Sequence, residues 1–179
     1  MARRETAARR YAEAAFQIGR ADDRLDAWEA DLARVGALLA HAELRRMIEH
    51  PVVPFASKER LLHSVAGDSV GIEAMSLVLL MVRRGRPRAI GRMIAHFAEL
   101  LRRERGIVLA EVRTALALEP EQRAEVSERL AQLTGERVEM NEVVDESLIG
   151  GIAVRIGDSL YDASVRNRLE RLRARLTAV

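Results

Sequence analysis

The chain has 179 residues, 49% of them hydrophobic, which is enough for one large or two small packed domains and too much for a disordered chain. Its 29 Lys and Arg against 27 Asp and Glu leave a net charge of +2, with Lys58 the only lysine; this balance argues against a dedicated nucleic-acid binder, which concentrates basic charge on one face. The absence of cysteine excludes disulfides, zinc-thiolate sites and thiol catalysis, the 3% aromatic content supplies few base-stacking platforms, and no apolar run approaches the roughly 18 residues of a membrane helix.

The first predicted element is a proline-free helix from about Arg3 to Arg20. Its start lacks a hydrophobic signal core. Glu5 and Glu13 within the arginine-rich stretch also fit poorly with an organelle transit peptide, so a bacterial cytoplasmic setting is the simpler expectation. The helix carries two apolar rows: Tyr11, Ala14, Ala15 and Ile18 form one, and Ala8, Ala12, Phe16 and Gly19 the other. Together they span a wider arc than one contact with a core requires. Either this is a central bundle helix, or something beyond the core covers part of it.

After the break at Ala21-Asp22-Asp23, Leu25, Trp28, Leu32, Val35 and Leu39 recur at spacings of three and four and predict a core-facing stripe. A short helix with Leu44, Met47 and Ile48 follows, then a turn bracketed by Pro51 and Pro54, then a helix with Leu61, Leu62 and Val65. Val70 to Arg84 contains the unbroken apolar run Leu77–Val82. A helix apolar all the way round is either buried or partly covered by another chain, and this one is too short to span a bilayer. Gly85 is a helix stop and Pro87 suits the first turn of the next helix, where Ile90, Met93, Ile94, Phe97, Leu100 and Leu101 keep the helical period.

The charged run ending at Gly106 marks the expected boundary, because beyond it the apolar period shifts towards two. Val108, Ala110, Val112 and Thr114 predict one strand face; Glu119-Pro120-Glu121 opens a helix with Val126, Leu130 and Leu133 on one side, and Gly135 closes it. Arg137 to Val143 alternates again, with Val138 and Met140 inward. It is expected to pair with a strand led by Gly150-Gly151, in which Ile152, Val154 and Ile156 face one way and Ala153 and Arg155 the other. Asp162-Ala163-Ser164 offers caps for a last helix with Val165, Leu169, Leu172 and Leu176 on one side and arginines on the other. The expected architecture is therefore mixed: a six-helix bundle over residues 1–105 followed by a small α+β (βαββα) domain over 106–179.

Catalytic chemistry finds no footing. Gly157-Asp158-Ser159-Leu160 matches the nucleophile block of a family of serine esterases, but that chemistry needs a histidine base, and none follows His96. His41, His50, His63 and His96 lie on separate segments without metal-ligand spacing. The glycines lack the spacing of a dinucleotide or phosphate-binding loop. The reading is of a non-enzymatic binding module without a cofactor or metal, and a partner's amphipathic helix would suit the groove between the first and fifth helices.

The stretch Val144-Asp145-Glu146-Ser147-Leu148-Ile149-Gly150-Gly151, continuing through Val154, Ile156, Gly157, Asp158, Asp162, Ser164 and Val165 to Leu169 and Leu172, resembles the signature of the delta subunits of bacterial F-type ATP synthases, the family of the oligomycin-sensitivity-conferring protein. Ala8 to Phe16 resembles the family's opening helix, and Gly85-Arg86 sits where its fifth helix closes. Glu146, where the family often has proline, and Pro87, where leucine is common, depart from the pattern at turns or helix starts.

The resemblance implies a peripheral-stalk (stator) protein that links the catalytic head to the membrane-anchored stalk and resists torque during proton-driven ATP synthesis. It implies one copy per hetero-oligomeric complex, associated peripherally with the cytoplasmic face of the bacterial membrane and not inserted in it. The N-terminal helix of an alpha subunit would then meet Tyr11, Ala14, Ala15, Ile18, Val78, Met81 and Val82, and the end of the stalk formed by the b subunit would meet Val154, Val165, Leu169 and Leu172. A small RNA-binding adaptor, drawn from the arginine content and the α+β tail, is the alternative from another class.

Overall fold

The computed structural model describes residues 2–177. The chain divides into two compact units on either side of the Leu101–Arg102 bond. The first holds α1 (Ala2–Ala21), α2 (Leu25–Ala40), α3 (Ala42–Glu49), α4 (Phe55–Ala66), α5 (Ile72–Arg83) and all but the last three residues of α6 (Ile90–Glu104).

Small residues let α1 lie close to its neighbours: Ala8, Ala12 and Ala15 are fully buried. A Cβ on Gly19 would sit 2.8 Å from the Trp28 ring, so this glycine is required by close approach, its backbone being ordinary helix. Trp28, Leu32 and Val35 of α2 form the buried stripe, and Leu25 and Leu39 pack on it half-buried. The Trp28 and Phe97 rings stand 6.3 Å apart and Phe16 meets Phe97 edge-on at 6.1 Å, within the range where aromatic pairs add to their area burial. Met47 and Val65, in the short apolar patterns of α3 and α4, remain exposed, because the residues these helices turn to the core are Leu44 with Ile48 and Leu62 with Ala66, each pair one turn apart.

The second unit contains β1 (Ile107–Thr114), α7 (Pro120–Thr134), β2 (Arg137–Val144), β3 (Ile152–Ile156), β4 (Ser159–Asp162) and α8 (Val165–Thr177). The sheet order is β2-β1-β3-β4, with β1 parallel to β2 and antiparallel to β3. Two sequence expectations are corrected here. There are four strands in place of three, since Ser159–Asp162 folds back through the Gly157-Asp158 turn and pairs antiparallel with β3. β2 does not pair with the glycine-led strand either; β1 lies between them. The α7 crossover returns the chain parallel to β1, and β1 is the strand that buries Ala110 and Val112 completely, so it takes the centre.

One face of this sheet is apolar and covered by α7: Ala110, Val112, Val138, Met140, Ile152, Val154 and Ile156 pack with Val126 and Leu130. α7 starts with a capping box between Glu119 and Gln122 and with Pro120 in its first turn, and it ends at Gly135 in the left-handed region. Glu142 ties it to the sheet, accepting from the Leu118 amide at 2.6 Å and from Arg123. The Leu118 amide, and after it Arg123, hold the Glu142 carboxyl below its usual pKa against the opposing effect of desolvation.

Candidate functional site

The residues expected to meet partners fall into two groups. On α1, Ala14 and Ile18 are exposed, Ile18 at 49%, and Tyr11 is half-buried. Ala15 on α1 and Val78, Met81 and Val82 on α5 are instead buried core residues. This corrects the expected groove lining: in the apolar run of α5, these three residues turn inward, and the side that remains outside carries Leu80, 42% exposed, with Ile72 at the helix start, 85% exposed. α1 and α5 pack against one another, so the exposed apolar residues of this unit include Ala14, Ile18, Ile72 and Leu80 on two neighbouring helices. Sequence periodicity located the helices but not the rotation of each, because a run apolar on every side carries no phase.

In the second unit Val154 is also corrected. β3 alternates, and Val154 points into the α7-covered core, so it has no surface for a partner. Val165, Leu169 and Leu172 stand 38%, 53% and 54% exposed along one row of α8; the side chain of Leu176 lies outside the described residues. An apolar row at spacings of four and three in a helix otherwise rich in arginine is a surface without a cover inside its own unit.

The start of α8 is built by local hydrogen bonds. Ser164 caps the helix, its hydroxyl accepting from the Asn167 amide at 3.2 Å, while Asp162 accepts from the Ser164 amide at 2.9 Å. The Ser164 hydroxyl and amide hold the Asp162 carboxyl below its usual pKa, with Arg171 and Arg166 lowering it further. The Ser147 hydroxyl and amide do the same for Asp145 in the preceding loop.

The paired glycines Gly150 and Gly151 ease a sharp strand entry, and they also allow contact with this cap. A Cβ on Gly151, at φ +78°, would come within 2.7 Å of the Ala163 carbonyl oxygen, and one on Gly150 within 3.3 Å of Val165. The Val165 amide donates to the Gly150 carbonyl and the Ala163 amide to that of Ile152. Nothing in the local pattern signals this closeness, since it joins segments that the chain brings together only on folding.

The open face of the sheet is polar. Glu111 and Arg113 pair at 2.8 Å, and with Arg155, Asp162, Arg166 and Glu170 they line a cavity of about 550 Å³ beside α8. Ser159 of the esterase-like block is exposed on β4, with Asp158 in the turn before it. Among the described residues no group of three or more His, Cys, Asp or Glu is arranged to hold a metal ion.

A helical unit followed by a small mixed sheet, each with an uncovered apolar helix row, is joined by a match over almost the whole sequence: residues 7–176 fit the family model of the ATP synthase delta (OSCP) subunit. The chain belongs to the ATP synthase delta (OSCP) family. Similar relatives include the ATP synthase subunit delta of Desulforamulus reducens, 36% identical over 174 residues, covering 97% of this chain and 96% of that protein. That of Chlorobium phaeovibrioides is also 36% identical over 174 residues, with the same shares covered. In fold the chain resembles a chain of the Toxoplasma gondii mitochondrial ATP synthase hexamer, with a TM-score of 0.75 over 96% of this chain and 98% of that one, at 21% identity. As a delta-family member it is a non-catalytic component of the peripheral stalk of the ATP synthase, and the RNA-binding alternative has no support.

Proposed function

We propose that this protein joins the N-terminal helices of the alpha subunits to the end of the stalk formed by the b subunit, with a division of labour between a six-helix bundle (1–105) and a C-terminal α+β domain (106–179). One observation carries the reading: each unit leaves apolar helix residues in solvent, Ala14 and Ile18 on α1 with Leu80 on the adjoining α5 in the first and the row Val165, Leu169 and Leu172 of α8 in the second. A partner's amphipathic helix covers such a row by placing its own apolar side chains along it, and the small Ala14 side chain leaves room for close backbone approach. Tyr11, half-buried beside these residues, supplies the edge of the same surface. The buried Ala15, Val78, Met81 and Val82 serve this contact from beneath, by fixing the positions of the exposed residues.

The mechanism is mechanical. Rotation of the central stalk drives synthesis only when the catalytic head is kept from turning with it, so the protein has to transmit torque without dissociating. Slow release matters more than fast association, and a largely apolar interface supplies it. One copy per complex, lying peripherally on the cytoplasmic side of the bacterial membrane, fits this role. Among the described residues no helix is long and apolar enough to cross a membrane.

Calorimetric titration with a peptide from the N-terminus of the same organism's alpha subunit tests the first contact. One-to-one binding is expected that changes little between low and moderate salt, because apolar burial is barely screened. Absence of binding would remove the proposed contact with the catalytic head. Truncation at Arg105 is expected to abolish binding of a fragment from the C-terminal end of the b stalk; retained binding would move the stalk contact out of the second unit.

A further inference from the structure

At the edge of the helical unit a cleft of about 540 Å³ opens, with Lys58, Arg83 and Arg88 among its lining residues. Lys58, the only lysine of the chain, is 9% exposed, and its ammonium has no hydrogen-bond or ion-pair partner among the described residues. Thr114 Oγ1 is the one fully enclosed side-chain polar atom among the described residues without a partner, so the unpartnered Lys58 ammonium keeps access to the cleft.

The other two cations differ from it. Arg88 pairs with Glu49 at 2.9 Å, and the Arg83 guanidinium lies over the Phe55 ring, 6.0 Å from its centre, a contact that orients the cation without neutralising it. α4 begins at Phe55 without a side-chain cap and without an acidic residue in its first turn, so the positive end of its dipole is uncompensated at this wall. Three cations face one carboxylate, Glu49, around a cleft whose remaining wall includes the apolar Phe55 and Val82. Lys58 is largely covered along its stem but brings its ammonium to the cleft without a counter-charge, and a bound anion would complete it through charge-assisted hydrogen bonds.

We propose that this cleft binds an acidic segment of a partner polypeptide, with Lys58 and Arg83 holding a carboxylate and the apolar wall holding the aliphatic residue beside it. The apolar wall is what selects a peptide over a free inorganic anion, which would leave it uncovered. The site lies within the helical unit and uses chemistry separate from the apolar rows described above.

Lys58 is the only side-chain amine, so acylation of the full-length protein with an amine-selective reagent, read by mass spectrometry, reports on it directly. A synthetic peptide alternating leucine and glutamate is expected to slow acylation at Lys58 about tenfold, while its glutamine counterpart leaves the rate unchanged. By calorimetry the acidic peptide should bind less tightly as salt rises and about tenfold less tightly to Arg83→Gln, whose exposed side chain can be replaced without disturbing the core. Lys58→Met is expected to abolish binding, with circular dichroism verifying its helical content; Arg83→Gln keeps the test decisive if that variant does not fold. Protection by inorganic phosphate equal to that by the acidic peptide would assign the cleft to small anions and overturn the peptide reading. Unchanged acylation in every arm would overturn the site itself. No other component of the synthase enters this test, so its outcome is independent of the assembly proposed above.

Discussion

Gly151 combines a positive φ of +78° with a Cβ direction that ends 2.7 Å from the Ala163 carbonyl oxygen and 3.0 Å from the Ser164 Cα. Both obstacles are backbone, which cannot rotate away as a side chain does. Gly151→Ala is therefore expected to destabilise the second unit by about 3 kcal/mol in urea unfolding. Gly135→Ala, also at positive φ but with open space around its Cβ, should lose only about 1 kcal/mol. Equal losses at the two positions would show that the backbone conformation, and not the docking of the glycine against the α8 cap, is what matters. Thr114 makes the opposite case. Its buried hydroxyl has no partner, so Thr114→Val, which keeps the shape and removes the polar atom, is expected to raise stability by about 1 kcal/mol. A loss of stability in the same measurement would reveal a hydrogen bond through water.

Among the elements, α8 depends most on its beginning, because its apolar row gives it little cover within its own unit. Ser164 satisfies the Asn167 amide of its first turn, and Asp162, holding the Ser164 amide, places negative charge at its N-terminus. The folded Asp162 carboxyl binds its proton more weakly than an unfolded one, so the unfolded chain takes up more protons and stability rises with pH through this range. That contribution is present above the unfolded-state pKa of about 4 and is lost as the pH falls through the lower, folded value. Asp162→Asn should accordingly be less stable than the unaltered protein at neutral pH, with the difference shrinking below about pH 4. A difference that stays constant with pH would assign the role of Asp162 to shape alone. Asp145, held low in the same direction by Ser147, adds to the acid sensitivity of the same unit.

For the whole molecule, two units with separate cores allow partner contacts to be altered without loss of folding. Trp28, the only tryptophan, belongs to the core of the helical unit, so its fluorescence follows that unit. Ala14→Asp, at an exposed position, should leave the Trp28 unfolding transition in place while weakening binding of the peptide from the alpha N-terminus at least about tenfold, since it sets a charge against an apolar partner. Ala15→Asp, one residue along but fully buried, should unfold the helical unit outright, because an unpaired buried charge exceeds the margin of an ordinary domain. If both variants kept the fold and both lost the peptide, Ala15 would belong to the interface and α1 would be rotated from the orientation described.

Much of this organisation is local and therefore legible in the sequence. The stripe of Trp28, Leu32 and Val35, the proline and glycine punctuation, the switch of period after Gly106 and the Asp162–Ser164 cap each depend on a few neighbouring residues. The family signature around Gly150-Gly151 is equally a property of the string. What tertiary structure decided is long-range. The rotation of α5, which buries Val78, Met81 and Val82 and exposes Leu80, depends on the helices around it. The central place of β1 depends on the α7 crossover, whereas the pairing of Ser159–Asp162 with β3 follows from the Gly157-Asp158 turn, a two-residue hairpin signal that the expectation of three strands passed over. Lys58 is the sharpest instance: in the sequence it is a single lysine among arginines, and only the packing of α4 beside the end of α5 brings it to one cleft with Arg83 and Arg88. Periodicity reports which residues share a face, whereas the neighbours that cover or expose that face are brought there by distant parts of the chain.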